Sequence, residues 1–204
     1  MTWIETWTGK RFELLNPQPE QVDLADIAHS LARLNRFTGH TIRTYSVAEH
    51  SLHCVQLLES EPLRISDPLL LAHALFHDAA EYIVGDVSAP LKVVLRQGPQ
   101  HSFLDRLEQS VLDVIYAAVG LPPISAEHKR VVKHTDLRML MTERAVLMPH
   151  TGEHSWEINV PPDEHMMGLL RLPRWASAIP ETIEWRFLAR ATALLAQMKG
   201  LSSA

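Results

Sequence analysis

Residues 67–90 read DPLLLAHALFHDAAEYIVGDVSAP, and the fold turns on this stretch. Asp67 before Pro68 is a compressed helix start: a carboxylate that can take an orphan amide, then the residue best suited to the first helical position. Behind it LLLAHALF is apolar nearly all round, which marks a helix at the centre of a domain rather than one lying on its surface. The helix is predicted to continue through HDAAEY and to stop at Gly85. On that reading Leu70, Ala74, His77, Asp78 and Glu81 stand at i, i+4, i+7, i+8 and i+11 and share one stripe. An imidazole and two carboxylates then lie in a buried neighbourhood. Burying such groups unpaired is costly, so they either satisfy one another or hold a metal ion. Taken alone, mutual pairing is the plainer reading.

Working outward, Ser46-Val47-Ala48-Glu49 is a capping box, with the Ser46 hydroxyl on an orphan amide and the Glu49 carboxylate returning to the cap. In the helix it opens, His50 shares an inward face with Val47, Cys54 and Leu58. Ser125 opens a helix to about Met148, in which Asp136 lies on the stripe of Val132, Met139, Leu140 and Leu147. Three helices thus each offer an inward group of metal-ligating type, and helical bundles build metal sites by projecting such residues from facing helices. A further helix follows Asp23, another ends at Gly120 before Pro122-Pro123, and the last covers 179–199. WIETWTGKRFEL, with Gly9 free to take a positive φ, predicts a β-hairpin within 1–15. With no repeat or linker, 1–204 is expected to be one all-α domain of about six helices with a small N-terminal β-hairpin. Its helical core is 22–148, and 149–173 is expected to be an irregular excursion.

The 204 residues carry 19 Lys+Arg against 24 Asp+Glu, a net charge of −5 that argues against broad binding of polymeric nucleic acid. No apolar run is long enough for a membrane span and the N-terminal residues do not read as a signal peptide, so no membrane association and a cytoplasmic location are expected. Cys54 is the only cysteine and is read as a small core residue. Multi-thiolate zinc and iron–sulfur sites are excluded, so a metal would be held by imidazole and carboxylate. Twelve His supply the candidates. His150 and His154 are read as loop histidines, His128 and His134 as exposed, His73 as packing locally, and Trp3 and Trp7 as anchoring the hairpin.

In these residues the chain resembles the HD-domain metal-dependent phosphohydrolases, whose pattern is a His, an adjacent His-Asp pair and a distant Asp. Here it reads His50, His77-Asp78 and Asp136, with 27 residues from the first His to the second and 58 from Asp78 to Asp136. HTIRTYSVAEHS and ALFHDAAEYIVGDVSAPLK resemble the segments around the first His and the His-Asp pair in the compact bacterial branch typified by 5'-deoxynucleotidases. That likeness covers about Leu31 to Met148. The hairpin and the 149–173 segment are similar to relatives that include dNTP triphosphohydrolases and an oxetanocin-type phosphohydrolase.

The resemblance implies an HD-type helical bundle with His50, His77, Asp78 and Asp136 as ligands of a divalent ion (Mn, Co, Fe, Ni or Zn). It implies that Glu81 orders or activates water and that Asp86 assists proton transfer or holds substrate. Arg36, Arg43 and Lys92, each near a motif, are the candidate phosphate clamps; their plainer alternative is a surface charge or a salt bridge. The expected activity is release of phosphate from deoxynucleoside 5'-monophosphates by metal-activated water. The alternatives are release of tripolyphosphate from dNTPs and a nucleotide-binding HD module without turnover. A small-molecule nucleotide is the expected partner, and a homodimer follows from the resemblance alone.

Overall fold

In the computed structural model, which describes residues 1–60, 62–98, 103–148, 156–172, 175 and 178–202, the chain is mostly helical behind a two-stranded hairpin. In order come β1 (Trp3–Glu5), β2 (Arg11–Glu13), α1 (Leu24–Leu31), α2 (Val47–Glu59), α3 (Pro68–Phe76), α4 (Glu81–Val84) and α5 (Ala89–Leu95). Then follow α6 (Phe103–Val119), α7 (Ala126–Leu147), α8 (Glu164–Leu170) and α9 (Pro180–Ser202). The apolar run behind Pro68 makes α3 the centre: Leu70 through Phe76 are all buried, against α2, α7 and α9. Among the described residues no helix is long and apolar enough to cross a membrane.

The local start signals form as the sequence predicts. Asp23 accepts from the Ala25 amide at 2.9 Å, Ser46 from Glu49 at 3.2 Å, Asp67 from Leu69 at 3.0 Å and Ser125 from His128 at 3.1 Å. The return half of the Ser46 box is a correction. The Glu49 carboxylate takes both ends of the Arg43 fork, at 2.7 and 3.1 Å, because a charge-assisted bidentate pair is stronger than a bond to one backbone amide.

A second correction concerns the long helix. The α-helix stops at Phe76, and residues 77–80 form a turn whose amide bonds are of the tight i→i−3 kind: Ala79 to Phe76 O and Glu81 to Asp78 O, both 3.0 Å. The His77 ring joins in, its Nδ1–H donating to the Ala74 carbonyl at 2.8 Å. His77 and Asp78 therefore sit in a turn and Glu81 opens α4, so the single stripe does not exist. Gly85, at φ +79°, ends α4 in a backbone conformation that L side chains rarely adopt.

Two short helices were not predicted. α5 begins at the end of the loop expected between Gly85 and Pro90 and runs on to Leu95, with Pro90 in its first turn. α8 lies inside the 149–173 excursion: Asp163 caps it on the Met166 amide at 2.9 Å, pairs with Arg138 of α7 at 2.8 Å, and leaves Met166 and Leu170 buried against α7. Residues 149–155, with His150 and His154, lie outside the described residues. His128 also departs from the exposed reading, since its Nδ1 is 3.1 Å from His73 Nδ1 and its Nε2 3.4 Å from Asp67.

The hairpin pairs Ile4 with Phe12 across the antiparallel strands. Phe12 is fully buried and meets Tyr82 edge-on at 5.8 Å, while the Thr8 amide and hydroxyl donate to the two oxygens of buried Asp26 at 2.7 and 2.8 Å. Trp7 stacks on His29 at 4.3 Å but stays 65% exposed, so Phe12 and Thr8 carry more of the attachment than the tryptophan pair. Asp26→Ala removes both acceptors and is expected to lower the unfolding free energy by about 1–2 kcal/mol. A urea midpoint equal to wild type would show that the tether contributes nothing.

Candidate metal centre

Side chains from α2, the 77–80 turn and α7 converge on one point. His50 Nε2 lies 3.3 Å from His77 Nε2, 3.4 Å from Asp136 Oδ1 and 3.8 Å from Asp78 Oδ2. His77 Nε2 is 3.2 Å from Asp78 Oδ2. Nitrogen and oxygen ligands about 2.1 Å from a shared ion stand about 3.0–3.4 Å apart at octahedral or tetrahedral angles, so these separations suit a divalent cation. Cys54, one turn beyond His50, places its Sγ 3.4 Å from His50 Nε2, and the ligand atoms of His50, Cys54 and His77 all lie within 4.8 Å of one another.

Proton accounting fixes which nitrogens face that point. Glu143, fully buried on α7, accepts through Oε1 from His50 Nδ1–H at 2.5 Å and from the Tyr45 hydroxyl at 2.9 Å, and through Oε2 from Arg36 Nε at 3.2 Å. Its carboxyl is held below the usual range: burial opposes ionisation, but Arg36 and His50 outweigh it. An ionised carboxylate only accepts, so His50 carries a proton on Nδ1 and turns Nε2 toward that point. His77 does likewise, its Nδ1–H being spent on Ala74. Two imidazole nitrogens thus face each other at 3.3 Å beside two carboxylates, an arrangement that suits a cation.

The electrostatics agree. Burial and Arg36 disfavour a charged His50, yet Cys54, Glu143 and Asp136 together raise its pKa, so positive charge is favoured at this point. Asp78 and Asp136 are held low against burial, the first chiefly by His77, the second by His50, His77 and Lys133.

Around the convergence sit the other candidates. Glu81 is buried, its Oε2 lacks a hydrogen-bond partner among the described residues, and its carboxyl is pushed up to about 9 by burial and then by the charges of Asp78 and Asp86. Burial raises Asp86 as well. Arg36 is buried between Glu143 and Asp78, its Nη1 3.5 Å from Asp78 Oδ2, and the chain turns sharply after it, Phe37 and Thr38 taking φ of 56° and 53°. Lys92 pairs with Glu108 at 3.0 Å; burial lowers its pKa, but Glu108, Glu81 and Asp78 more than offset this, so it faces the acids of the centre. Arg43, by contrast, is engaged by Glu49.

Three supporting residues escaped sequence reasoning: Glu143, Tyr45 and His53. Glu143 stands seven residues after Asp136 on the same helical face, a spacing that was available as a signal. Tyr45 gives its one hydroxyl hydrogen to Glu143, so His53 Nδ1–H donates to the Tyr45 oxygen at 2.9 Å. Burial pushes His53 down to about 3.

Glu143→Gln, which keeps the shape but loses the charge that fixes His50, is expected to weaken metal binding about 10- to 100-fold in a competitive chelator titration. An unchanged affinity would remove Glu143 from the orientation of His50. His53 gives a pH test: its folded pKa lies below its unfolded value of 6.5, so the unfolded chain takes up a proton that the fold refuses. Stability is then lost as pH falls below 6.5, by up to about 1.4 kcal/mol per pH unit. His53→Gln should flatten that acid limb in urea titrations, and parallel wild-type and variant limbs would show that His53 is not buried neutral.

The model of the HD domain matches residues 28–133, a span holding His50, His77 and Asp78. The chain is 38% identical over 144 residues to YfdR, an uncharacterized protein of Escherichia coli, covering 71% of each. It is 36% identical over 137 residues to an uncharacterized protein of Rhodobacter capsulatus, covering 66% of this chain and 67% of that one. HD-domain proteins are generally metal-dependent hydrolases. A match over half of the chain, joined to two imidazoles and two carboxylates at ligand spacing, shows that the protein belongs to the HD-domain family.

Proposed function

We propose that the protein is a divalent-metal phosphohydrolase that removes orthophosphate from deoxynucleoside 5'-monophosphates, with His50, His77, Asp78 and Asp136 as the metal ligands. The observation that carries this reading is the pair of imidazole Nε2 atoms facing each other at 3.3 Å with Asp78 and Asp136 beside them. A divalent ion there, Mn, Co, Fe, Ni or Zn, would lower the pKa of a bound water and neutralise charge on the phosphoryl oxygens.

The chain's own groups then divide the work. With a cation held beside Asp78, the Glu81 carboxyl would be drawn down from about 9, and it could take a proton from water and give it back. Asp86 lies within its electrostatic reach as a second proton carrier or a hold on substrate. Arg36 and Lys92 face the same acids and serve as cationic contacts for a single phosphoryl group. Arg43 supports α2 through Glu49 rather than acting as a clamp.

The test is a metal-dependent hydrolysis screen of dNMPs and dNTPs with EDTA controls, resolving orthophosphate, pyrophosphate and tripolyphosphate. Orthophosphate from monophosphates is expected, tripolyphosphate from dNTPs would replace the substrate reading, and no product with any metal would leave a binding module. His77→Ala and Asp78→Ala are expected to abolish turnover with the helical circular-dichroism signal retained, and Glu81→Gln to slow it by about 10²- to 10⁴-fold. Wild-type rates in these variants would overturn the site.

A further inference from the structure

We propose that Cys54 is a fifth ligand of the metal centre, a thiolate that makes an imidazole–carboxylate site favour zinc, cobalt or ferrous iron over manganese or magnesium. The inference rests on the reading of His50, His77, Asp78 and Asp136 as the metal site and extends it to a residue that the family pattern does not include.

Its basis is the position of the sulfur beside one imidazole edge. The thiol has the His50 Nε2 nitrogen, 3.4 Å away, as its hydrogen-bond partner. Nδ1 of that ring is taken by Glu143, so the sulfur lies against the Nε2 edge, the edge that a metal would use. An ion on Nε2 would take that edge from the sulfur, leaving it without this partner in a buried place unless it becomes a ligand itself. The distance suits the second outcome: sulfur at about 2.3 Å and nitrogen at about 2.1 Å from one ion are about 3.1–3.6 Å apart. Sγ also lies within 4.8 Å of the His77 ligand nitrogen.

The surroundings point the same way. Cys54 is 1% exposed and sits in an apolar layer with Leu57, Met139, Leu147, Met166 and Leu170, which α8 helps to close. Because His50 and Cys54 are one turn apart on α2, both donors are aimed by the same rigid element. In the binding step the S–H bond breaks, its proton leaves to solvent and a sulfur–metal bond forms, with no electron transferred. A soft donor raises affinity for zinc and its neighbours much more than for hard oxygen-seeking ions.

The experiment is Co(II) titration of the full-length, metal-stripped protein followed by absorbance. Wild type should take up one Co(II) per chain and show a near-ultraviolet sulfur-to-cobalt charge-transfer band. Cys54→Ser should still bind Co(II) without that band, lose at least tenfold in zinc affinity and keep its manganese affinity. Cys54→Ala, checked by circular dichroism, should show the same loss of zinc over manganese, which a merely packing role would not produce. Stoichiometric Co(II) without the band in wild type, or unchanged zinc affinity in both variants, would overturn the proposal. His77→Ala separates the two readings: if it abolishes Co(II) uptake while wild type lacks the band, the metal site stands and the thiolate falls. If His77→Ala binds Co(II) as wild type does, or wild type takes up none, the site reading falls and the thiolate ligand with it.

Discussion

The hydrogen bond from His50 Nδ1–H to the buried Glu143 carboxylate is the constraint on which the rest of the centre depends. A carboxylate with no exposed surface must be paired from several sides, and here His50, Tyr45 and Arg36 do so at once. Those partners come from α2, from the loop ahead of it and from the turn after α1, so the pairing that satisfies Glu143 also sets where α7 lies against that loop and α2. It also holds the His50 ring through Nδ1 and so turns Nε2 toward the other imidazole. One charge thus links the packing of helices that carry different ligands to the chemistry of one nitrogen.

The break in the central helix answers a geometric need. On a continuous α-helix consecutive side chains diverge by about 100°, so adjacent His and Asp residues would aim at different neighbours. In the tight turn of residues 77–80 both reach the same place, Asp78 Oδ2 lying 3.2 Å from His77 Nε2. The His77–Ala74 bond serves both the backbone and the site, since it takes up a carbonyl near the helix end while orienting the ring.

Much of this was legible in the sequence because it is local. The caps at Asp23, Ser46, Asp67 and Ser125 formed where short-range chemistry put them, and the apolar LLLAHALF announced a central helix. The inward His50 stood out because it interrupts an apolar face. What failed to show was set by partners distant in the chain. HDAAEY contains no Gly or Pro, so nothing local marked the break after Phe76. Glu49 fitted a capping box until Arg43 offered a stronger partner. Glu143 lies in a helix so rich in charge that one more acid carried no signal, although its spacing from Asp136 did. α5 and α8, at seven residues each, are too short for a periodicity to declare itself.

The bond that orients His50 spans 93 residues of chain, and the one from Tyr45 to the same carboxylate spans 98. During synthesis α2 and α3 therefore leave the ribosome well before α7 supplies Asp136 and Glu143. An ion that met the nascent chain early would find His50, Cys54, His77 and Asp78 on segments still free to move, without the carboxylate that fixes the first imidazole. Closing so long a loop is slow compared with forming any one helix. Any discrimination among ions would therefore belong to the finished domain, in which α7 has docked, and not to its early segments.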